Sequence, residues 1–288
     1  KIMKFKIQFL FILLTIPFSI NIYSKEINKS CDELLSDNQY EEALKTKKSE
    51  YKSAFCHGQA NLKLHHYDDA FSDFKLADKL AKNDIDHSMA DLLEGITLKE
   101  ANKLDEALLH LKSSISRTQT NKTFKRLYLI EIGETLLLLA KYEEAANSFI
   151  EAFGLAANDD ERATNLDRVA YAYASMKNFT KAIEFELKAN LAFERTGLLG
   201  EYADSGINLA LYYLEVNDLT SAERTLSKFE RLARENGGIY YLAKVLYAQS
   251  KYYKKKSNNE LSKSKLDEAN KIANDIGAED LKTLFKTI

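Results

Sequence analysis

Residues 133–152 read GETLLLLAKYEEAANSFIEA and contain the pattern that decides the fold. Small residues stand at Gly133, Ala145 and Ala152. The tetrapeptide YEEA that ends at Ala145 is one copy of a phrase: an aromatic residue or Leu, two polar residues, then Ala. This phrase returns along the chain, and repetition of this kind predicts an array of similar structural units rather than one globular core.

Three kinds of position recur together in the array. The alanine of the phrase, or its equivalent, stands at Ala43, Ala70, Ala107, Ala145, Ala182, Ala222 and, in a weaker copy, Ser262. Twelve residues earlier, a second small residue stands at Cys31, Gly58, Gly95, Gly133, Ala170, Ala210 and Ser250. Four residues after the alanine, bulky apolar residues stand at Phe74, Leu111, Phe149, Leu226 and Leu266. The alanine positions are separated by 27, 37, 38, 37, 40 and 40 residues.

The composition favours helices throughout. The 288-residue chain contains one proline, Pro17, and only ten glycines. Both residues oppose helix formation, so their scarcity beside abundant Ala, Leu, Lys and Glu predicts an all-helical protein. The net charge of the whole chain is −2. If the start of the chain were cleaved off together with Lys1, Lys4 and Lys6, the net charge would become −5. A partner with a strongly negative backbone, such as duplex nucleic acid, is therefore disfavoured.

The two small positions at a fixed offset, repeated seven times, resemble the tetratricopeptide repeat (TPR) family over about residues 26–276. The resemblance implies an all-α fold, a right-handed superhelical solenoid of about seven TPR-like helix pairs with a C-terminal capping helix. Small residues would lie where the two helices of a pair cross. The period of mostly 37–40 residues resembles the TPR arrays of bacterial signalling and regulatory proteins. The proline that the family places after the second helix is missing.

This layout predicts two helices in each repeat. The first helices are expected near 26–36, 51–64, 86–101, 122–139, 163–176, 200–216 and 239–256. The second helices are expected near 39–48, 67–81, 104–117, 142–157, 179–195, 219–235 and 259–274, with the capping helix at 278–287.

The beginning of the chain has the layout of a signal peptide. Lys4 and Lys6 precede an apolar run over 7–20, and the small residue Ser24 suits cleavage. We therefore expect a signal peptide at 1–24, a TPR-like helical repeat domain at 25–288, and an exported protein of the bacterial periplasm or the secreted fraction. An uncleaved membrane anchor is the alternative, although the run is shorter than the roughly 20 residues that a spanning helix needs.

The two cysteines, Cys31 and Cys56, occupy neighbouring repeats at the start of the array. In an oxidising compartment they would form a disulfide that stabilises the short first repeat by about 3–4 kcal/mol. The alternative is two free cysteines that serve as small buried residues where helices cross.

Nothing in the sequence predicts catalysis, a cofactor or a metal. The chain has no glycine-rich phosphate loop, nucleophile elbow or metal-binding motif. All five histidines lie between His57 and His110, in a spacing that matches no structural zinc template, so we interpret them as turn and surface residues.

Tyrosine is concentrated late in the chain, including the pairs 212–213, 240–241 and 252–253. Tyr213 and Tyr253, with Tyr173, fall on the aromatic position of the first helix that the resemblance assigns to the core. We therefore expect Tyr213 and Tyr253 to be the buried members of their pairs. Their partners would then reach the groove or its rim, where tyrosine supplies contact area for binding. The alternative, which we favour for most of the tyrosines, is that the rings fill a core that has no tryptophan.

TPR proteins bind peptides in a concave groove lined by the first helices, and the resemblance assigns candidate binding residues there. They are Asp167, Tyr171, Asn208, Leu211, Tyr247 and Lys251. The sequence thus favours an exported, non-enzymatic scaffold that binds a protein or peptide, with no nucleic acid, no small-molecule substrate, and membrane contact only through an uncleaved leader. The alternative is a periplasmic sensory module of a signal-transduction system whose membrane and output parts are separate.

Overall fold

A computed structural model describes residues 29–118 and 121–286, so the predicted signal peptide lies outside the described residues. The helices form two compact units, one ending at Lys103 and the other beginning at Leu104. Within the described ranges the secondary structure is helical, without strands, and none of these helices is long and apolar enough to cross a bilayer.

The first unit consists of five helices in sequence order. They are α1 (Cys31–Ser36), α2 (Tyr40–Ala43), α3 (Tyr51–Lys63), α4 (Tyr67–Leu80) and α5 (Asp84–Glu100). Helices α1 and α2 form repeat one, and α3 and α4 form repeat two. Helix α3 is the centre of the unit, because it packs against all four of the others.

The second unit continues the same arrangement. Its helices are α6 (Leu104–Ser114), a 3₁₀ turn (Ile115–Thr118), α7 (Lys122–Leu138), α8 (Tyr142–Gly154), α9 (Asp159–Ser175), α10 (Phe179–Thr196), α11 (Leu199–Glu215), α12 (Leu219–Glu235), α13 (Ile239–Lys255), α14 (Asn259–Asp275) and α15 (Glu279–Phe285). From α7 onward each helix packs against the next. Repeats four, five, six and seven are α7/α8, α9/α10, α11/α12 and α13/α14. The predicted TPR-like helix pairs are confirmed, and their bounds fall within a few residues of those expected.

The clearest departure is α2, which was predicted over 39–48 but ends at Ala43. The backbone N–H and the hydroxyl of Thr46 both donate to the Ala43 carbonyl, at 3.2 and 2.8 Å, and turn the chain out of the helix. Glu50 then forms a capping box with Ser53 at the start of α3. The short spacing of the first repeat thus leaves room for only one turn of its second helix.

Close contact between small and bulky residues holds each pair together, as the resemblance implied. A Cβ added to Gly58 would lie 2.6 Å from Phe74 Cε1, and one added to Gly133 would lie 2.5 Å from Phe149 Cε1. In repeat six a glycine that the sequence pattern did not single out has this role. A Cβ on Gly206 would lie 1.9 Å from Cε2 of Phe229.

The turn inside each repeat has one conformation throughout the array. The second residue after the first helix is left-handed, with φ between 57° and 63°, at Asn38, His65, Asn102, Ala140, Lys177, Asn217 and Ser257. In repeat five the N–H of Asn178 then donates to the Tyr173 carbonyl at 2.9 Å. This is the Schellman pattern, which satisfies free carbonyls at the end of a helix.

Helix α15 covers the last repeat, as the predicted capping helix should. Its Leu281 and Phe285 are buried against α13 and α14. The tyrosine prediction was wrong in its choice of ring. Tyr212 and Tyr252 are the buried members of their pairs, and Tyr213 and Tyr253 are half-buried around them.

Candidate binding groove and a buried carboxyl pair

The six predicted groove residues lie on the first helices of repeats five, six and seven. Asp167 and Tyr171 are on α9, Asn208 and Leu211 on α11, and Tyr247 and Lys251 on α13. Tyr171 is the most open of them, with 46% of its surface exposed. The others are half-buried except Tyr247, which is 3% exposed.

Leu211 and Lys251 line one cavity of about 260 Å³. The rest of its lining is Phe179, Tyr212, Leu214, Glu215 and Lys255. The lining is mostly apolar, its charged members are Glu215, Lys251 and Lys255, and the Lys255 ammonium donates to the Leu214 carbonyl. Pockets of this composition hold an apolar group and orient it through a few polar ones, and this volume suits a side chain better than a whole cofactor.

Tyr247 serves packing rather than the groove. Its ring stacks on Phe285 of α15 with centroids 4.9 Å apart. The ammonium of Lys251 lies 4.9 Å from the centre of the Tyr247 ring. Tyr247 therefore packs beneath the capping helix α15 and is not available to a ligand.

Beneath Asp167 lies a residue that the sequence reading missed. Glu186, on α10, is fully buried, and its carboxyl group faces that of Asp167. Among the described residues, neither oxygen of Glu186 nor the Ser205 hydroxyl makes a hydrogen bond of normal geometry. The Ser205 hydroxyl and the Asp167 carboxyl are nevertheless close enough to Glu186 to influence its pKa. Two ionised carboxylates can only accept hydrogen bonds, so this contact becomes a hydrogen bond when one of them is protonated.

The surroundings favour that proton. Burial raises the pKa of Glu186 well above its usual value, and the charge of Asp167 adds to the effect. Burial also raises the pKa of Asp167. The two groups titrate as a pair, which keeps a proton to higher pH than an exposed carboxyl does. Burial, followed by the charges of Glu186 and Asp167, raises the pKa of Tyr212 as well.

In the first unit, Cys31 and Cys56 are joined in a disulfide with Cα atoms 6.2 Å apart, which ties α1 to α3. The neighbouring His57 is 4% exposed, contrary to the expectation that the histidines are turn and surface residues. Its Nε2 lies 3.0 Å from the Thr46 hydroxyl. Burial, and then the charge of Lys48, lower the pKa of His57, which favours the neutral form of this buried ring.

No protein-family model and no curated protein matches the chain. Among solved structures, the C-terminal part of a TPR repeat-containing protein from Cytophaga hutchinsonii superposes with a TM-score of 0.62 at 15% identity, over 84% of this chain and 93% of that one. Aspartyl phosphate phosphatase F from Bacillus subtilis gives 0.61 at 14% identity, over 77% and 70%. A Rap protein complexed with Competence and Sporulation Factor gives 0.56 at 13% identity, over 89% and 77%.

The helix pairs, the glycine-on-ring contacts and these superpositions together define the class: the chain has the fold of TPR-repeat proteins. Identities of 13–15% establish the fold alone.

Proposed function

We propose that the protein is an exported, non-enzymatic scaffold that binds a protein or peptide along the first helices of its second unit. The observation that carries this proposal is the cavity between α11 and α13, which is lined by two of the predicted groove residues, Leu211 and Lys251. The mostly apolar lining of the cavity suits a side chain of a bound polypeptide. Lys251 and Lys255 suit polar groups beside that side chain.

The fold is compatible with this role. One structural neighbour is a Rap protein in complex with Competence and Sporulation Factor, and so the same helical architecture supports the binding of a partner elsewhere. Another neighbour is named as a phosphatase. We propose no catalysis for this protein, because its sequence has no glycine-rich phosphate loop, nucleophile elbow or metal-binding motif.

Export is the part of the proposal that rests on the leader pattern over 1–24. The pairing of Cys31 with Cys56 supports it, because disulfides persist in oxidising compartments and are rare in the cytosol.

A second candidate is a periplasmic sensory module of a signal-transduction system. It is favoured by the repeat period of 37–40 residues, which resembles bacterial signalling arrays. A membrane helix and an output domain encoded directly downstream would decide for this candidate.

Photo-crosslinking tests the scaffold proposal. A photo-reactive amino acid replaces Leu211 in the cavity or, as a matched control, Leu191, which is 51% exposed on α10. After irradiation of cells, the envelope fraction should contain a defined crosslinked species for position 211 and none for position 191. If the two positions give the same products, or neither gives any, the groove is not the binding surface.

A further inference from the structure

Repeat five differs from most of the other repeats at two positions that lie 19 residues apart. These positions are apolar in repeats two, three, four, six and seven, which contain Ala70, Ala107, Ala145, Ala222 and Ser262. The first of them holds Phe55, Leu92, Ile130, Ile207 and Tyr247. The second holds Phe74, Leu111, Phe149, Leu226 and Leu266. In repeat five the same positions hold Asp167 and Glu186.

This exchange is costly where it occurs. Glu186 is as buried as Phe74 and Phe149, all three having no exposed surface. Moving a carboxyl group from water into such a place costs free energy unless a partner compensates it. Sequences depart from their own structural pattern chiefly at functional sites, so a carboxyl pair in place of an apolar pair points to a ligand.

The nearby cations of the protein act on the pair only through space, because each is ion-paired with another carboxylate. Lys244 is ion-paired with Asp204, and Arg168 with Glu134 at 3.3 Å. Over 29–118 and 121–286, no lysine or arginine forms an ion pair with Asp167 or Glu186. Lys244 and Arg168 are near enough to act on the Asp167 carboxyl through space, but their partners are elsewhere. The site therefore has room, electrostatically, for one more positive charge.

We infer that Asp167 and Glu186 form a subsite for one cationic group, an ammonium or a guanidinium, of the polypeptide that the groove binds. This inference rests on the proposed function. Asp167 is half-buried and stands one helical turn before Tyr171, whose exposed ring offers a face to the same cation. Glu186 lies behind Asp167 and strengthens its field in a region that excludes water.

Without a ligand, the proton shared by the pair takes the place of the cation. Binding of an ammonium or guanidinium favours the ionised form of both carboxyls and releases that proton to solvent. Binding should therefore change the ionisation of two identified side chains, which can be observed directly.

The first test observes the carboxyl carbons by ¹³C NMR in the full chain, labelled at Asp and Glu. The probes are three acetylated, amidated tripeptides with glycine on either side of lysine, arginine or norleucine. The lysyl or the arginyl peptide should move the Asp167 and Glu186 signals, whereas the uncharged norleucyl peptide should not. If all three peptides act alike, or none acts, or if calcium or zinc ions move the signals and the peptides do not, the inference is wrong.

The second test replaces the carboxyl pair with the apolar pair found in a neighbouring repeat. The double variant Asp167→Ile/Glu186→Leu takes the residues that repeat six has at these positions, and so it should fold with wild-type helical content. Its affinity for the charged peptides should fall by about tenfold or more, since both charged contacts are removed. Glu184→Gln, an exposed substitution on the same helix, should bind as wild type does. A double variant that keeps its affinity overturns the inference.

The two proposals fail separately. If position 211 is crosslinked to a partner and the carboxyl signals ignore the charged peptides, the subsite is wrong and the scaffold stands. If the charged peptides move the signals and position 211 captures nothing, the cation site stands without the scaffold.

Discussion

Repeats two and five place opposite chemistry on the same backbone positions. In repeat two, the rings of Phe55 and Phe74 meet edge to face with centroids 5.6 Å apart. In repeat five, the carboxyls of Asp167 and Glu186 face each other. The small residues around the two pairs are alike in burial. Ala70 and Ala77 of repeat two and Ala182 and Ala189 of repeat five have no exposed surface. The small residues thus determine how the helices cross, and the bulky position between them is free to change its chemistry.

The two pairs should stabilise their repeats in different ways. The aromatic pair of repeat two gains free energy from buried apolar area and ring geometry, neither of which depends on pH. The carboxyl pair of repeat five is favourable only while it holds a proton or a cation. Four experiments test this difference between repeats two and five.

The largest effect is expected when a glutamate, which repeat five has at this position, replaces the buried ring of repeat two. Phe74→Glu removes a buried ring and leaves a carboxyl with no acidic partner to share a proton. The free energy of unfolding of the first unit should fall by about 5 kcal/mol. Hydrogen exchange followed by mass spectrometry should show lost protection in α3 and α4. Phe74→Leu, which keeps the position apolar, should lose far less, and equal losses in both variants would refute the contrast.

The second experiment asks how much of the stability of the first unit comes from its covalent link rather than from its apolar core. Removal of the bridge by Cys31→Ser/Cys56→Ser should cost about 3–4 kcal/mol in that unit. Helices α9 to α14 should keep their exchange protection. Intact mass measured with and without reductant should differ by about 2 Da. An unchanged mass means that the bridge is not formed.

The third experiment uses the pH dependence of repeat five. Because burial raises the pKa of Glu186 in the folded protein, the folded state binds more protons than the unfolded state above the ordinary glutamate pKa of about 4.3. The free energy of unfolding should therefore fall as pH rises through this window. We expect a loss of more than about 1 kcal/mol between about pH 5 and pH 9 in urea titrations.

Glu186→Gln should remove most of this loss, because the amide imitates the protonated carboxyl and cannot ionise. Glu184→Gln changes an exposed carboxylate that is paired with Lys188, so this variant should show the same loss of stability with rising pH as the wild type. If wild type and Glu186→Gln follow the same pH curve, the buried pair does not hold a proton.

The smallest effect concerns the turns, where the two repeats are alike. Lys177 of repeat five and His65 of repeat two are both left-handed, at φ of 60° and 63°, which is unfavourable for residues with a Cβ. Lys177→Gly should raise the free energy of unfolding by about 0.5–1 kcal/mol. His65→Gly should gain less, because it also loses the contact of Nδ1 with the Tyr67 hydroxyl at 2.9 Å. Thermal unfolding of both variants measures these gains. A larger rise in Tm for His65→Gly than for Lys177→Gly would contradict the prediction.

Most of the fold could be predicted because it depends on local pattern. The alanine phrase placed both helices of each repeat to within a few residues, since small residues recur wherever helices cross. The early end of α2 could not be predicted, because it depends on the hydrogen bonds of Thr46. The choice between Tyr212 and Tyr213 could not be predicted either. Tyr212 packs with Ala170 and Ala182 of repeat five, whereas Tyr213 packs against a different cluster, and tertiary packing decides which ring is the more buried.

The candidate site was predicted only in part. Asp167 was identified as a groove residue, but its buried partner Glu186 was not. A signal was present, because the bulky position four residues after the alanine is apolar at Phe149 and Leu226 and acidic at Glu186. Exposed acids are common on helices, so the acid becomes informative only when the repeats are compared position by position.

The stacking of Phe285 on Tyr247 also bears on assembly. Within the second unit, the apolar side of a helix pair is suited to meet another pair, and α15 fills that place on repeat seven with only seven residues. Its outward residues Glu279, Thr283 and Lys286 are exposed and polar. Helix α15 therefore shields the apolar side of repeat seven from solvent. Deletion of α15 would expose the apolar residues around Tyr247 and Leu246, and an exposed apolar surface of this kind favours association between copies.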